Sequence, residues 1–370
     1  MTLTITLSKY IARQFVAAIL VAWLALSGLV AMFDFIELLR RSASKPEVTF
    51  GLVCEIAALR VPFIMMQILP FAVLLGGLMC FWRLTRTSEL IVARASGVSA
   101  WEFLTVPTLC ALLIGTVTTA AMSPLSSAML SKAEALETAY LRTGGGPLAV
   151  NGGQLWLRQS DRELNPKGVA IIHANGVALR DEKLTTGPVS VFRLDDNDHL
   201  LSRIEATNAS LLDKDWQLDN ARNIRPDQLP EQPKKVLLPT DLTVTRVQDS
   251  FASPDTLSVW VLPDFISLLE RSGFSSVRHR LHFHSLLALP LLCATMALVA
   301  AGFSMRPTRR GGVAKMIGGG VSVGFALFVI SKVAEEFGQS GALPVVLAAW
   351  APAAAGLMFA VALLLHTEDG

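Results

Sequence analysis

Charge is scarce in this chain. Only 17% of its 370 residues are Asp, Glu, Lys or Arg, 52% are hydrophobic, and the mean hydropathy is +0.49. A soluble domain carries about 25% charged residues, so this composition excludes one and points to a membrane protein. Cysteine is sparse too. Cys54, Cys80, Cys110 and Cys293 all lie in or beside apolar segments, with none in the long polar stretch between and none at metal-ligand spacing, which leaves them as small core hydrophobes. No G-x-x-x-x-G-K-[ST] phosphate loop is present, so the chain is not itself an ATPase. Paired carboxylates, a nucleophile with its base and a metal cluster are missing from any setting that would support catalysis, and no enzymatic role is expected. The net charge of +2 argues neither for nor against nucleic acid.

What is present is long apolar runs. Residues 15–33, 61–82, 103–122, 286–305 and 344–365 each lack charge and are long enough for a helix to cross a hydrocarbon layer, which takes about 20 residues. A sixth run, 317–331, is shorter and glycine-rich, and spans if Lys332 snorkels at its end. The first run exceeds the apolar core of a secretory signal and no small-x-small cleavage pattern follows before Asp34, so an uncleaved first helix is expected.

Between the third and fourth runs, residues 131–257 carry most of the turn chemistry. Short apolar stretches at 154–158, 169–173, 189–194, 200–206, 209–212, 235–238 and 242–247 alternate with turn residues, among them Asp195-Asp196-Asn197-Asp198 and Asp213-Lys214-Asp215. That pattern predicts an all-β sandwich or jelly-roll-like domain. The expected fold is six transmembrane α-helices, three plus three, around an inserted β domain: 1–130, 131–257 and 258–370. The last segment opens with an amphipathic helix at 264–272, whose Phe265, Leu268 and Leu269 share one side, read as a structural joint or a lever between β domain and membrane.

Lysine and arginine in the short loops set the orientation. With both termini in the cytoplasm, Lys9, Arg13, Arg83, Arg86, Arg94, Arg306, Arg309, Arg310 and Lys315 become cytoplasmic and the β domain periplasmic. One loop breaks the rule. Arg40, Arg41, Lys45 and Arg60 fall outside, mixed with Asp34, Glu37, Glu47 and Glu55, which makes that loop a candidate site.

The cytoplasmic loop at about 84–97 reads as a short helix capped by Thr87 or Ser88 and ended by Gly97, with Leu90, Ala93 and Gly97 on one side beside Glu89 and Arg94. Such a helix suits docking into a groove of a cytoplasmic partner, and equally a solvated connector. Near the fourth span, His282 and His284 lack a third ligand at a sensible spacing, so with Arg278, His279 and Arg280 they read as an interfacial basic belt. Lys332, Glu335 and Glu336 read as a surface ion pair before a proton relay. Gly318, Gly319, Gly320 and Gly324 allow close helix contact or a flexible gate.

The run Ser88-Glu89-Leu90-Ile91-Val92-Ala93-Arg94-Ala95-Ser96-Gly97 resembles the coupling helix of the lipopolysaccharide export permeases, the YjgP/YjgQ family. Tyr10-Ile11-Ala12-Arg13-Gln14-Phe15, Asp34-Phe35-Ile36-Glu37-Leu38-Leu39-Arg40-Arg41, Leu69-Pro70-Phe71 with Leu74-Leu75-Gly76, and Arg306-Pro307 with Arg309-Arg310-Gly311-Gly312 resemble it as well. The likeness covers nearly the whole chain. Through the end of the first helix it is closer to the LptG branch than to the LptF branch.

The resemblance implies a subunit of an ABC transporter in a Gram-negative inner membrane that extracts lipopolysaccharide and passes it toward the outer membrane. It implies a paralogous LptF-like permease subunit, an LptB-like cytoplasmic ATPase dimer that uses ATP and magnesium, a single-span LptC-like partner and an LptA-like periplasmic bridge. This chain itself is expected to bind no cofactor and no metal. Glu89, Leu90, Ala93, Arg94 and Gly97 would meet the ATPase. Arg40 and Arg41 would meet a lipid A phosphate, since guanidinium pairs bidentately with phosphate. Asp34 and the glycines at 318, 319, 320 and 324 would belong to a lateral gate formed by first and fifth helices of opposing subunits. Asp34 departs from the family, where a basic residue is expected. Glu37 is placed to pair with Arg40 or Arg41, leaving the other for phosphate. A permease for another lipid or for lipoproteins, and a non-transporting membrane-anchored scaffold, are the alternatives.

Overall fold

The computed structural model describes residues 5–43, 45, 48–87, 89, 99–141, 148–151, 154–161, 168–180, 183–195, 199–212, 215–225, 231–240, 253–271, 275–304 and 313–368. They form two compact units. One comprises Met1–Leu141, Pro254–Pro263 and Val277–Gly370, and the other Arg142–Ser253 and Asp264–Ser276.

The first unit is helical, and six of its helices are long and apolar enough to cross a membrane. They are built from α1 (Ile5–Ser42), α2 (Phe50–Arg86), a third rod made of α3 (Ala100–Val117) and α4 (Ser123–Leu136), and then α6 (Val277–Ser304), α7 (Val313–Gln339) and α8 (Val345–Glu368). Inside a hydrocarbon layer every backbone N–H and C=O must pair within the segment, which leaves a helix as the form these runs can take. Two π-helical segments, Thr118–Met122 and Glu137–Leu141, interrupt and extend the third rod. Helix therefore continues to Leu141, past the expected start of the β domain at 131. Thr49 caps α2 by accepting from the Leu52 N–H, and Ser99 with Glu102 forms a reciprocal capping box that starts α3.

Burial sorts the helices. The apolar windows of α6 and α2 are 67% and 61% buried, while those of α1, α7 and α8 are 22%, 17% and 28% buried and so present most of their surface outward. The inner pair packs closely because α6 carries small residues from Cys293 to Gly302, nearly all buried. Phe15, Leu69, Phe81, Phe103, Met296 and Val299 fill the same core. The four cysteines are free, and Cys80 and Cys293 are buried in that core.

The second unit is an antiparallel sheet of β1 (Leu148–Asn151), β2 (Gln154–Ser160), β3 (Val169–Asn175), β4 (Ala178–Arg180), β5 (Lys183–Thr186), β6 (Val189–Leu194), β7 (Leu200–Ala206), β8 (Asn208–Leu212), β9 (Asp215–Ile224) and β10 (Lys234–Pro239). The order is β1-β2-β3-β6-β7-β9-β8-β5-β4, with β10 beside β9. The crossovers vanish once β3 with β4, β6 with β5, and β7 with β8 are read as long strands bent in the middle. The bends lie at Gly176, where φ is +64°, at Gly187-Pro188 and at Thr207, and β9 turns the same corner at Asn220, where φ is +52°. Hydrogen bonds persist across the corner: Gly187 N–H donates to Asn175 C=O at 2.7 Å and Thr207 N–H to Asp219 C=O at 3.2 Å.

One core joins the two halves of the folded sheet, with Leu155, Ile172 and Val191 on one side and Leu184, Leu211 and Trp216 on the other. Arg193 points inward at the end of β6, and Asp161 meets it with both carboxylate oxygens. Helix α5 (Leu262–Arg271) lies where the amphipathic helix was expected, with one difference on its apolar side. Leu269 is buried and Phe265 packs beside it in the sheet's core, while Leu268 is exposed. The expected strand at 242–247 lies outside the described residues, as do Asp196, Asn197, Asp198, Asp213 and Lys214.

Close helix approach yields a prediction. A Cβ on Gly76 would come within 2.6 Å of the Ile19 Cα, backbone that cannot rotate away, whereas one on Gly318 would meet nothing within 4 Å. Gly76→Ala is expected to cost about 1–3 kcal/mol by overpacking and Gly318→Ala close to nothing. Thermal denaturation of the two variants in the same detergent checks this.

Candidate functional site

The last turns of α1 place Asp34, Glu37 and Arg41 on one side at i, i+3 and i+7, with Arg40 beside them. That side rests on a small apolar core of Leu38, Val53, Ile56, Ala133 and Leu141, drawn from α1, α2, α4 and the π segment after it. Above this core the charges form a chain of alternating sign. Arg60 of α2 donates to Asp34 at 2.8 Å and lies 3.4 Å from Glu137. Glu137 accepts from Arg41 at 3.4 Å, Arg41 also donates to Glu37 at 2.9 Å, and Glu37 receives both Nε and Nη2 of Arg40 at 2.8 Å.

Exposure grades along that chain. Asp34 and Arg60 are 25% exposed and Glu137 12%, whereas Arg41 is 53% and Arg40 77% exposed. Three guanidinium groups thus face three carboxylates, tied to the packed helices at one end and open at the other. Lys45 extends the tie by donating to the Leu141 carbonyl. The Asp34 Oδ2 atom is buried without a hydrogen-bond partner, so the acid is held by one oxygen.

This geometry revises two readings from the sequence. Glu37 pairs with both arginines, where one was expected to be left over. Asp34 is no lone reversal of charge, because Arg60 supplies a guanidinium beside it from the neighbouring helix. Sequence reasoning had placed Arg60 in the candidate loop without a partner for it, and had not joined Glu137 to the site. The available signal for Arg60 was its place directly before the apolar run 61–82; Glu137, fifteen residues past the third run, carried none.

The other candidates are placed as follows. Glu89 is half-buried and its Oε1 accepts from the Thr87 hydroxyl at 2.9 Å, while Leu90, Ala93, Arg94 and Gly97 lie outside the described residues. Gly320 and Gly324 of α7 face Leu78 and Leu74 of α2, Gly319 faces Phe303, and Gly318 is open. These four glycines do not meet the arginine cluster in one site. Lys332 pairs with Glu335 at 2.8 Å, and His282 Nδ1 lies 3.2 Å from Asp255 Oδ1.

The arrangement separates a fixed part from an exchangeable one. Exposed ion pairs are worth about 0–1 kcal/mol, so Glu37 can release Arg40 to a competing anion at small cost. Removing Arg60 instead strands the largely buried Asp34 carboxylate and leaves Glu137 with Arg41 alone, at about 1–3 kcal/mol. Arg60→Ala is expected to lower stability by that amount and Arg40→Ala to leave it nearly unchanged. Denaturation of both, with Asp34→Ala/Arg60→Ala closing a double-mutant cycle, measures the difference.

Comparison with known proteins bears on this site. A family model described as "Lipopolysaccharide export system permease LptF/LptG" matches residues 9–366. The lipopolysaccharide export system permease protein LptG of Escherichia coli (strain K12) is 24% identical over 368 residues, covering 97% of this chain and 98% of the relative. Its namesake in Haemophilus influenzae (strain ATCC 51907 / DSM 11121 / KW20 / Rd) is 23% identical over 357 residues, covering 94% of each.

Proposed function

The chain belongs to the lipopolysaccharide export system permease LptF/LptG family, and on that premise we propose that its arginine cluster takes a lipid A phosphate as lipopolysaccharide leaves the membrane. The protein is an LptG-like, multi-pass inner-membrane subunit of the lipopolysaccharide transporter. Family membership makes it a transporter subunit.

In the proposed cycle the termini are cytoplasmic and the β unit is periplasmic. Both Arg40 and Arg41 then stand at the outer end of α1, at the height of headgroups in the outer leaflet. A lipid A phosphate replaces Glu37 on the exposed Arg40; Glu37 keeps its bond to Arg41, so an exposed pair of small worth is given up and the phosphate–guanidinium pair is mostly gained. Arg60 keeps α1 tied to α2 and to the third rod through Asp34 and Glu137. Movement of α1 away from α2 would stretch these inner pairs, and their strength would set how readily a gate beside α1 opens.

Energy comes from a separate ATPase dimer, which uses ATP and magnesium and docks on the loop carrying Glu89. A paralogous LptF-like subunit completes the lipid cavity. An LptC-like partner and an LptA-like bridge receive the lipid through the β unit. The observation that carries this reading is the graded ion-pair chain ending in exposed Arg40.

Site-specific photocrosslinking in cells tests it. A crosslinker at position 40 or 41 is expected to trap lipopolysaccharide, and one at position 89 the cytoplasmic ATPase. An ATPase adduct without a lipid adduct would contradict the phosphate role of the arginines. Absence of both would contradict transport by this chain.

A further inference from the structure

A cavity of about 360 Å³ lies inside the helical unit, between α2, α4, α6, α7 and α8 and the short turn Pro254–Thr256. Its volume is in the range of small-molecule sites. None of the arginine cluster lines it, so it is separate from the site described above.

Polarity is ordered along its walls. On α6 the lining face runs His282, Ser285, Leu289, Leu292, Met296, spaced by three and four residues. Those fourteen residues rise about 21 Å, more than half of a hydrocarbon core of about 30 Å. Helix α7 contributes the same order from its opposite end, with Glu335 and Lys332 followed by Ser331 and Phe328. The charged end is the end of the bundle at which the chain leaves for the β unit at Leu141 and returns at Pro254. Beneath it, the exposed Gln67 of α2 also lines the cavity, in a run otherwise apolar.

Both signs of charge stand at the mouth. Asp255 pairs with His282 and Glu335 with Lys332. A molecule that fits must carry an apolar chain at least one leaflet long and a headgroup that offers a cation to Asp255 and Glu335 and an anion to Lys332. A headgroup bearing phosphates alone would meet two carboxylates and be repelled.

We infer that this cavity holds a zwitterionic glycerophospholipid of the ethanolamine type, one acyl chain between α6 and α7 and its ammonium and phosphate on the two ion pairs. The lipid is a resident of the fold and is not the exported cargo. It fills the space between the buried α6 and the outward-facing α7, and Gln67 and Ser285 meet its ester groups.

The test is native mass spectrometry of the full chain, purified in mild detergent and equilibrated with equal amounts of phosphatidylethanolamine and phosphatidylglycerol of the same acyl chains. Wild type is expected to retain one phosphatidylethanolamine in preference to phosphatidylglycerol. Ala349→Trp, which fills the cavity, is expected to lower that retention about tenfold, equivalent to 1.4 kcal/mol. Glu335→Lys leaves the cavity open but makes its mouth basic, and is expected to turn the preference to phosphatidylglycerol, which separates a headgroup effect from misfolding. Preferential retention of phosphatidylglycerol by wild type would overturn the inference, as would phosphatidylethanolamine retention unchanged in both variants.

Discussion

A charged side chain at the edge of a hydrocarbon layer must meet an opposite charge, water or a headgroup. That requirement organises the end of the helical bundle where α1, α2 and the third rod converge. Six charges from three rods are arranged so that each has an opposite neighbour and the run ends in solvent at Arg40. The packed residues beneath, Leu38, Val53, Ile56 and Ala133, fix where those charges stand. Function then rests on a difference within one network: the inner pairs hold helices together, and the outer pair can be exchanged.

The β unit solves another problem with comparable economy. An open sheet with one apolar face has to cover it, and here the sheet covers itself by bending its long strands at one corner. Gly176, Gly187, Thr207 and Asn220 mark that line. Helix α5 closes the core with Leu269. The inward Arg193 is tolerated because Asp161 is buried with it, and loss of one partner alone would leave an uncompensated charge.

The helical half was legible because uninterrupted apolar runs allow one solution in lipid, and six were read and six are found among the described residues. The β unit was legible as a class, with β6 and β7 read at their observed limits, but β9 was missed. Its inward residues change phase at Asn220, from Trp216 and Leu218 to Ala221, and a search for strict alternation fails at such a break. Strands β4 and β5 are three and four residues long, too short to carry a period. At the candidate site, the arginines and Asp34 were legible from their spacing on one helix. The partner of Arg60 and the presence of Glu137 were not, since those contacts join positions 26 and 96 apart, and separations of that size are set by packing rather than by local pattern.

The central claim is that a phosphate competes with Glu37 for the exposed end of this network. Binding of lipid A to the purified chain, compared with binding of lipid A stripped of its phosphates, tests it most directly. The account predicts that wild type favours the phosphorylated form by about tenfold or more, the worth of a charge-assisted hydrogen bond, and that Arg40→Gln/Arg41→Gln removes the preference while still binding the acyl chains. Equal discrimination by wild type and the double variant would contradict it.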